Sequence, residues 1–203
     1  MTFTTEQEEF WAGDFGAAYM KRNTHDRLLV PKIAMWSKML SSAHGVSSIK
    51  EFGCNNGGNL LALNRLKPDL VLSGIEINAQ AAHEATKLNV AEITNGTIIE
   101  EISHEPVDIT CTIGVLIHIN PNRLEDVYRN LVHNSSRYVL VAEYYNPSPL
   151  AISYRGNTDR LFKRDFAGEL MDKHNLKLVD YGFIYKRDNW APQDDITWFL
   201  LEK

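Results

Sequence analysis

A strand-like run ending in Glu51-Phe52 passes directly into Gly53-Cys54-Asn55-Asn56-Gly57-Gly58, and a helical pattern follows. In such a turn glycines adopt backbone angles closed to other residues and let a ligand approach the main chain, while the first helical amides offer donors. The second strand-like run, 25 residues after Glu51, ends at Gly74-Ile75-Glu76-Ile77-Asn78. That spacing sets the Glu76 carboxylate beside the turn, where it can accept both hydroxyls of a ribose. Asn55 stands where a dinucleotide fingerprint has its second glycine, the one that admits a pyrophosphate. The pattern therefore suits a nucleoside ligand without a pyrophosphate and disfavours a nicotinamide dinucleotide. Each feature alone has a plain alternative, a tight turn that binds nothing; their order and spacing favour the site.

Other groups with chemistry lie further along. His118 follows the fourth strand-like run, and an ordinary histidine pKa of about 6.5 suits proton acceptance near neutrality. It is a candidate base, with packing in the turn before Pro121 as the alternative. Glu143, Tyr144 and Tyr145 end the fifth run and can face substrate, which makes Glu143 and Tyr144 further candidates for the base. Arg155, Arg160, Lys163 and Arg164 form a dense basic cluster that can hold an acidic group through paired hydrogen bonds, although Asp159 and Asp165 among them equally fit a solvated face. Asp194 and Asp195 either bind a hydroxyl-rich substrate or cap a turn. No set of His, Cys and carboxylate residues has metal-ligand spacing, and Cys54 and Cys111 form no disulfide framework.

These residues need a scaffold that brings strand ends together. Strands are expected at about 49–52, 71–77, 90–94, 107–113, 137–143, 176–183 and 196–201, with helices at about 58–66, 79–88, 121–133 and 164–174. Asn120 and Asp165 are cap-type residues near two helix starts. Alternation of strands and helices predicts an α/β domain with a seven-stranded, mostly parallel sheet of Rossmann type. The last two strands have no helix between them, so the final one should run antiparallel. Residues 1–45 read as helical, with Pro31 early in a helix as a first-turn proline, and with Trp11, Phe15 and Tyr19 either forming a lid over the ligand or packing onto the core. The organisation is thus an N-terminal helical lid region, 1–45, on a core at 46–203, one domain overall.

The 203 residues are 44% hydrophobic and 23% charged, ordinary for a folded domain, and the net charge of −5 argues against a nucleic-acid partner. Glu6, Glu8 and Glu9 stand where a secretory leader would carry a positive flank and an apolar run, and no apolar stretch reaches the roughly 20 residues that span a bilayer. A cytoplasmic protein with no membrane partner is expected; nothing bears on oligomeric state.

Glu51, Gly53 and Gly57 match the acidic-x-Gly-x-Gly-x-Gly motif of class I S-adenosylmethionine-dependent methyltransferases, with Asn55 departing at the middle glycine. Longer runs carry a narrower likeness: Phe10-Trp11-Ala12-Gly13-Asp14-Phe15-Gly16, Gly114-Val115-Leu116-Ile117-His118-Ile119-Asn120-Pro121, Ala142-Glu143-Tyr144-Tyr145-Asn146-Pro147, Asp159-Arg160-Leu161-Phe162-Lys163 and Gln193-Asp194-Asp195-Ile196-Thr197-Trp198. On these the sequence resembles the pseudaminic-acid-biosynthesis-associated methylases of bacterial surface-sugar gene clusters. The resemblance implies S-adenosyl-L-methionine as cofactor, with S-adenosyl-L-homocysteine as product. Gly53, Cys54, Asn55 and Gly57 would wrap its methionine and ribose parts, Glu76 with Ile77 would hold the ribose, and Thr97 and Ile98 would flank the adenine. Gly114 and Val115 would line it beyond the fourth strand, and Trp11 and Tyr19 would close over it. The implied activity is O- or N-methylation of a small molecule, an acidic sugar or sugar nucleotide of nonulosonic-acid type, contacted by Tyr145, Arg155 and Arg160. The alternative is a non-catalytic cofactor-binding partner or regulator of a sugar pathway. A DNA or RNA amino-methyltransferase would want an Asn/Asp-Pro-Pro-Tyr-like motif where this chain has Ile113-Gly114-Val115-Leu116.

Overall fold

The computed structural model describes all residues except 1, 23, 24, 101, 103, 104 and 155. Three helices open the chain: α1 (Glu6–Ala12), α2 (Asp14–Arg22) and α3 (His25–Met39). There follow β1 (Ser48–Phe52), α4 (Gly58–Leu66), β2 (Val71–Glu76), α5 (Ala79–Lys87), β3 (Glu92–Asn95) and β4 (Val107–Ile113). Two short 3-10 turns, Leu116–His118 and Pro121–Arg123, lead into α6 (Leu124–His133) and β5 (Ser135–Glu143). A hairpin of β6 (Leu150–Tyr154) and β7 (Asn157–Lys163) precedes α7 (Phe166–His174), β8 (Lys177–Ile184) and β9 (Ile196–Glu202).

Seven strands form one sheet in the order β3-β2-β1-β4-β5-β9-β8, and β9 alone runs against its neighbours β5 and β8. The expected α/β Rossmann-like sheet is therefore present. Helices cover both faces, which explains why β5 reads as an unbroken apolar run rather than an alternation. Its Tyr138, Leu140 and Ala142 face α3 and α4, through Trp36, Met39, Leu60 and Leu63, while Val139 and Val141 face α6 and α7. The chain leaves β1 in one direction, through β2 to β3, and returns to β4 on the other side. The crevice at the carboxyl ends of β1 and β4 is thus the switch point where open α/β sheets bind ligands.

Several local expectations are corrected. The hairpin β6–β7, which follows Pro147 and Pro149, is not among the expected strands. Pro31 sits within α3 rather than in its first turn, because that helix begins at His25. Residues 121–123 form a 3-10 turn before α6, and α7 begins only at Phe166 because Asp165 caps it, accepting from the Gly168 amide. Among the described residues no helix is long and apolar enough to cross a membrane, and no group of three or more His, Cys, Asp or Glu residues could hold a metal ion.

Candidate active site

The glycine-rich turn is shaped by positive φ at Gly53 (81°), Asn55 (49°) and Gly57 (78°). Asparagine is among the few non-glycine residues that tolerate this region, so Asn55 keeps the backbone path that a glycine would allow. A Cβ on Gly53 would come within 2.6 Å of the Val115 side chain, and one on Gly57 within 2.9 Å of Leu88. The Gly53 and Cys54 amides donate to the Ile75 carbonyl at 2.8 and 3.0 Å, fastening the turn to β2. Cys54 is buried beneath it, and burial pushes its thiol well above the ordinary value.

Glu76 ends β2 and joins two turns: one oxygen accepts from the Asn55 amide at 2.7 Å, the other from the Asn78 amide at 2.8 Å. Burial raises its pKa against those backbone bonds. The Ile77 amide also bonds the carboxylate, and the roughly four acceptor sites of a carboxylate leave it able to accept from a ribose. Ile77 follows, its carbonyl accepting from the Asn95 side chain at 3.2 Å. Ile98 is buried beyond β3, and the Thr97 hydroxyl donates to Glu8 of α1. Burial pushes the Glu8 carboxyl up, but bonds from Thr97, Thr4 and Thr5 together hold it below its ordinary value. At the end of β4, Gly114 has φ 67°, and a Cβ there would have nothing among the described residues within 4 Å.

Glu51, 1% exposed, is the deepest carboxylate of the crevice. One oxygen accepts from the Asn59 side chain; the other, Oε2, has no partner among the described residues. Burial raises its pKa to about 7, opposed by Asn59 and by Lys32 and aided by Glu76. The Lys32 ammonium, on α3, donates to the Asn59 carbonyl oxygen at 2.6 Å.

Helices α1 and α2 lie over the crevice. The Asn78 side chain, while capping α5 through the Gln80 and Ala81 amides, donates to the carbonyls of Trp11, Ala12 and Gly13 at 3.0 to 3.2 Å. Gly16 permits the close crossing of the two helices, since a Cβ there would fall 1.9 Å from the Trp11 carbonyl oxygen. The aromatic set gathers around His118: ring centroids lie 4.5 Å away for Trp11 and 5.2 Å for Tyr154, and Trp11 packs edge-on to Phe15 and Tyr19 at 5.3 and 5.4 Å. Trp11 Nε1–H is buried with no partner among the described residues.

His118 Nδ1 lies 2.6 Å from the Arg160 carbonyl oxygen, which accepts its proton and leaves Nε2 as the acceptor. Burial lowers the His118 pKa to about 4, against that bond, so the ring is neutral at physiological pH rather than half-protonated near 6.5 as the sequence led one to expect. Glu143 is directed inward: its carboxylate accepts from the Val115 and Leu116 amides at 3.0 Å and from Ile117 at 3.4 Å, and burial raises its pKa to about 7. It anchors the turn that presents His118 instead of facing the crevice. Tyr144 points the other way. Burial and the nearby Asp194 and Tyr19 raise its pKa, its hydroxyl bonds Asp194, and Lys163 lies 5.2 Å over its ring.

Of the remaining substrate candidates, Tyr145, Arg160 and Asp195 are not brought to this space. Strand alternation turns Tyr145 to the opposite face, 43% exposed and packed toward Phe199. Arg160 is committed to Glu6 at 3.2 Å, Asp159 at 2.7 Å and the Phe10 ring, pinning α1 to β7. Arg155 lies outside the described residues. Asp195 caps its turn through the Lys186 amide, whereas Asp194 reaches the crevice. Residues that sequence reasoning missed are Glu8, Lys32, Asn59, Asn78 and Tyr154; they lie on separate elements, and no local spacing signals them.

The sheet order, with helices on both faces, is that of the Rossmann-like methyltransferase fold. The chain resembles solved structures of that fold along nearly its whole length. One is the Burkholderia thailandensis 1,6-didemethyltoxoflavin-N1-methyltransferase with its acceptor and S-adenosylhomocysteine bound, with a TM-score of 0.75 at 9% identity over 100% of this chain and 91% of that one. Another is the magnesium protoporphyrin IX methyltransferase of Synechocystis PCC 6803 with S-adenosylmethionine bound, with a TM-score of 0.70 at 9% identity over the whole of both chains. A third, the plantazolicin methyltransferase in complex with S-adenosylhomocysteine, has a TM-score of 0.66 at 16% identity over 97% of this chain and 93% of that one. No family model and no curated protein matches the sequence.

Proposed function

We propose that the chain is an S-adenosylmethionine-dependent methyltransferase acting on a small acceptor held beneath α1 and α2. The observation that carries this reading is the Glu76 carboxylate, bonded to the amide of Asn55 inside the glycine-rich turn and still able to accept from a diol. The residues fit the cofactor on two further counts: among the described residues nothing fills the Gly114 Cβ position, and one buried oxygen of Glu51 has no partner. Gly53, Cys54, Asn55 and Gly57 would wrap the methionine and ribose portions, Glu76 and Ile77 the ribose, Thr97 and Ile98 the adenine, and Gly114 and Val115 the remaining edge. When bound, the cofactor supplies an electrophilic methyl group on a sulfonium and is left as S-adenosylhomocysteine.

The chain's own residues align the acceptor and exclude water, which is most of what an in-line displacement asks of a protein. Trp11, Phe15 and Tyr19 close the crevice. Neutral His118 offers Nε2 to the acceptor's proton, held in that tautomer by the Arg160 carbonyl. Glu143 acts through the turn it anchors. The rings of Trp11, Tyr144 and Tyr154 suit the C–H face of a sugar, and Lys163 beside Tyr144, with Arg22 over Phe15 and Tyr19, supports an acidic sugar of nonulosonic type. This assigns the acidic group to Lys163 and Arg22 in place of Arg160. Thermal unfolding with matched concentrations of S-adenosylhomocysteine and NAD tests the cofactor: a rise in midpoint with the first alone is expected, and a rise with NAD alone, or with neither, refutes the reading. A panel of acidic and neutral sugars, assayed for methyl uptake, then tests the acceptor class.

A further inference from the structure

Helix α1 is fastened on two sides, to different parts of the crevice. On one side Glu8 accepts from Thr97, and the carbonyls of Trp11, Ala12 and Gly13 accept from Asn78. On the other, Gln7, 6% exposed, uses both ends of its amide: Nε2 donates to the Asp159 carbonyl of β7 at 3.1 Å, and the oxygen accepts from the Asn120 side chain at 3.1 Å. Asn120 stands two residues after His118. In an extended strand successive peptide groups point to opposite sides, so the Asp159 carbonyl meets α1 while the next one, that of Arg160, lies 2.6 Å from His118 Nδ1. From α1, Glu6 and the Phe10 ring also hold the Arg160 guanidinium. Strand β7 is therefore clamped between α1 and the turn that carries His118, and Gln7 is tied to both.

We propose that the docking of α1 sets the state of His118, with Gln7 as the positioning residue: the ring keeps its proton on Nδ1 and offers Nε2 only while Gln7 ties β7 to Asn120. The catalytic consequence rests on the reading of His118 as the acceptor's base. Closing the crevice and readying the base are then one event, so no proton leaves an acceptor that is still open to water. The Trp11 ring, which α1 lays 4.5 Å from the imidazole, supplies part of the burial that keeps it neutral. Around the ring, Tyr154 of β6 packs on it, Glu143 lies behind the turn bonded to the amides of residues 115–117, and Glu6, Asp159 and Arg160 pair with one another. Burial and the Arg160 carbonyl are what act on it.

Nitrogen NMR of ligand-free protein labelled in its histidine rings reads this without an acceptor, the His118 signals being assigned by their loss in His118→Gln. Wild type should show the Nδ1–H tautomer alone and stay neutral down to about pH 4. Gln7→Met keeps the stem and cuts both bonds; Asn120→Asp keeps the cap on the Asn122 amide, cuts one bond, and carries the test if the first variant does not fold. Each should give mixed tautomers and a titration moved up toward the ordinary value of about 6.5. Affinity for S-adenosylhomocysteine should stay within about twofold, because Glu8 and Asn78 still hold the other side, while methyl uptake by the acceptor found in the sugar panel should fall about tenfold or more in kcat and gain an acidic limb. A wild-type ring in mixed tautomers, a variant ring that stays locked, or equal losses of cofactor affinity and turnover would overturn the coupling. If the ring is locked and released as stated but His118→Gln keeps the wild-type rate, the base reading fails and control of the ring by α1 stands.

Discussion

Replacing Glu51 by glutamine should make the ligand-free protein more stable, by an amount that grows as pH rises from 4.5 to about 7. Burial lifts the Glu51 pKa from 4.5 to about 7. At about 1.36 kcal/mol per unit, the charged form costs about 3 kcal/mol relative to the unfolded chain. The sign follows from the raised value: the folded state binds the extra proton, so stability is fully present below pH 4.5 and is lost as pH rises to about 7. Glutamine keeps an oxygen for Asn59 and removes the charge, while Lys32 loses an opposite charge and gives back part of the gain. The expected stabilisation at pH 8 is about 1 to 3 kcal/mol, and at about 2–4 °C per kcal/mol for a domain of this size the midpoint should rise by roughly 2 to 12 °C. Thermal unfolding of ligand-free wild type and Glu51→Gln at pH 5 and pH 8 is the assay. A midpoint that is unchanged or lower at pH 8, or raised equally at both pH values, would refute the reasoning. Natural proteins keep such costly groups where activity needs them.

Further outcomes are expected. The His118 pKa near 4 lies below its free value, so its contribution to stability is present above pH 6.5 and lost as pH falls toward 4. Correspondingly, kcat/KM should show no limb between pH 6 and 9 that His118→Gln removes; such a limb near 6.5 would contradict the buried neutral ring. Gly16→Ala drives a Cβ into the Trp11 carbonyl and should cost about 1–3 kcal/mol while loosening α1, seen as raised KM and slower-quenched Trp fluorescence restored on cooling; unchanged stability and KM would disprove the close crossing. Asn55→Gly should be tolerated within about 0.5 kcal/mol, whereas Asn55→Ala should lose about 1 kcal/mol at its positive φ, both read by denaturant midpoint; equal losses would argue against the left-handed backbone. Glu143→Gln trades an acceptor for donors facing three backbone amides and should destabilise by about 1–3 kcal/mol, in chemical denaturation; a neutral result would show that the turn does not depend on it.

The sequence by itself determined what is local in the chain. The turn from Glu51 to Gly58, the carboxylate of Glu76 and the strand–helix alternation are contiguous signals, because backbone angles and side-chain periodicity act over a few residues. Caps at Asn120 and Asp165 were legible for the same reason. Only the tertiary structure decided which distant side chains share a space. Glu8 reaches Thr97 across 89 positions and His118 meets the Arg160 carbonyl across 42, separations that leave no pattern in the sequence. Strand alternation turned Tyr144 toward the crevice and Tyr145 away, and the buried amides of residues 115 to 117 drew Glu143 inward. Burial, a property of the packed whole, set the protonation of Glu51 and His118. The residue types name the chemistry available; the packing decides which of them remain free to do it.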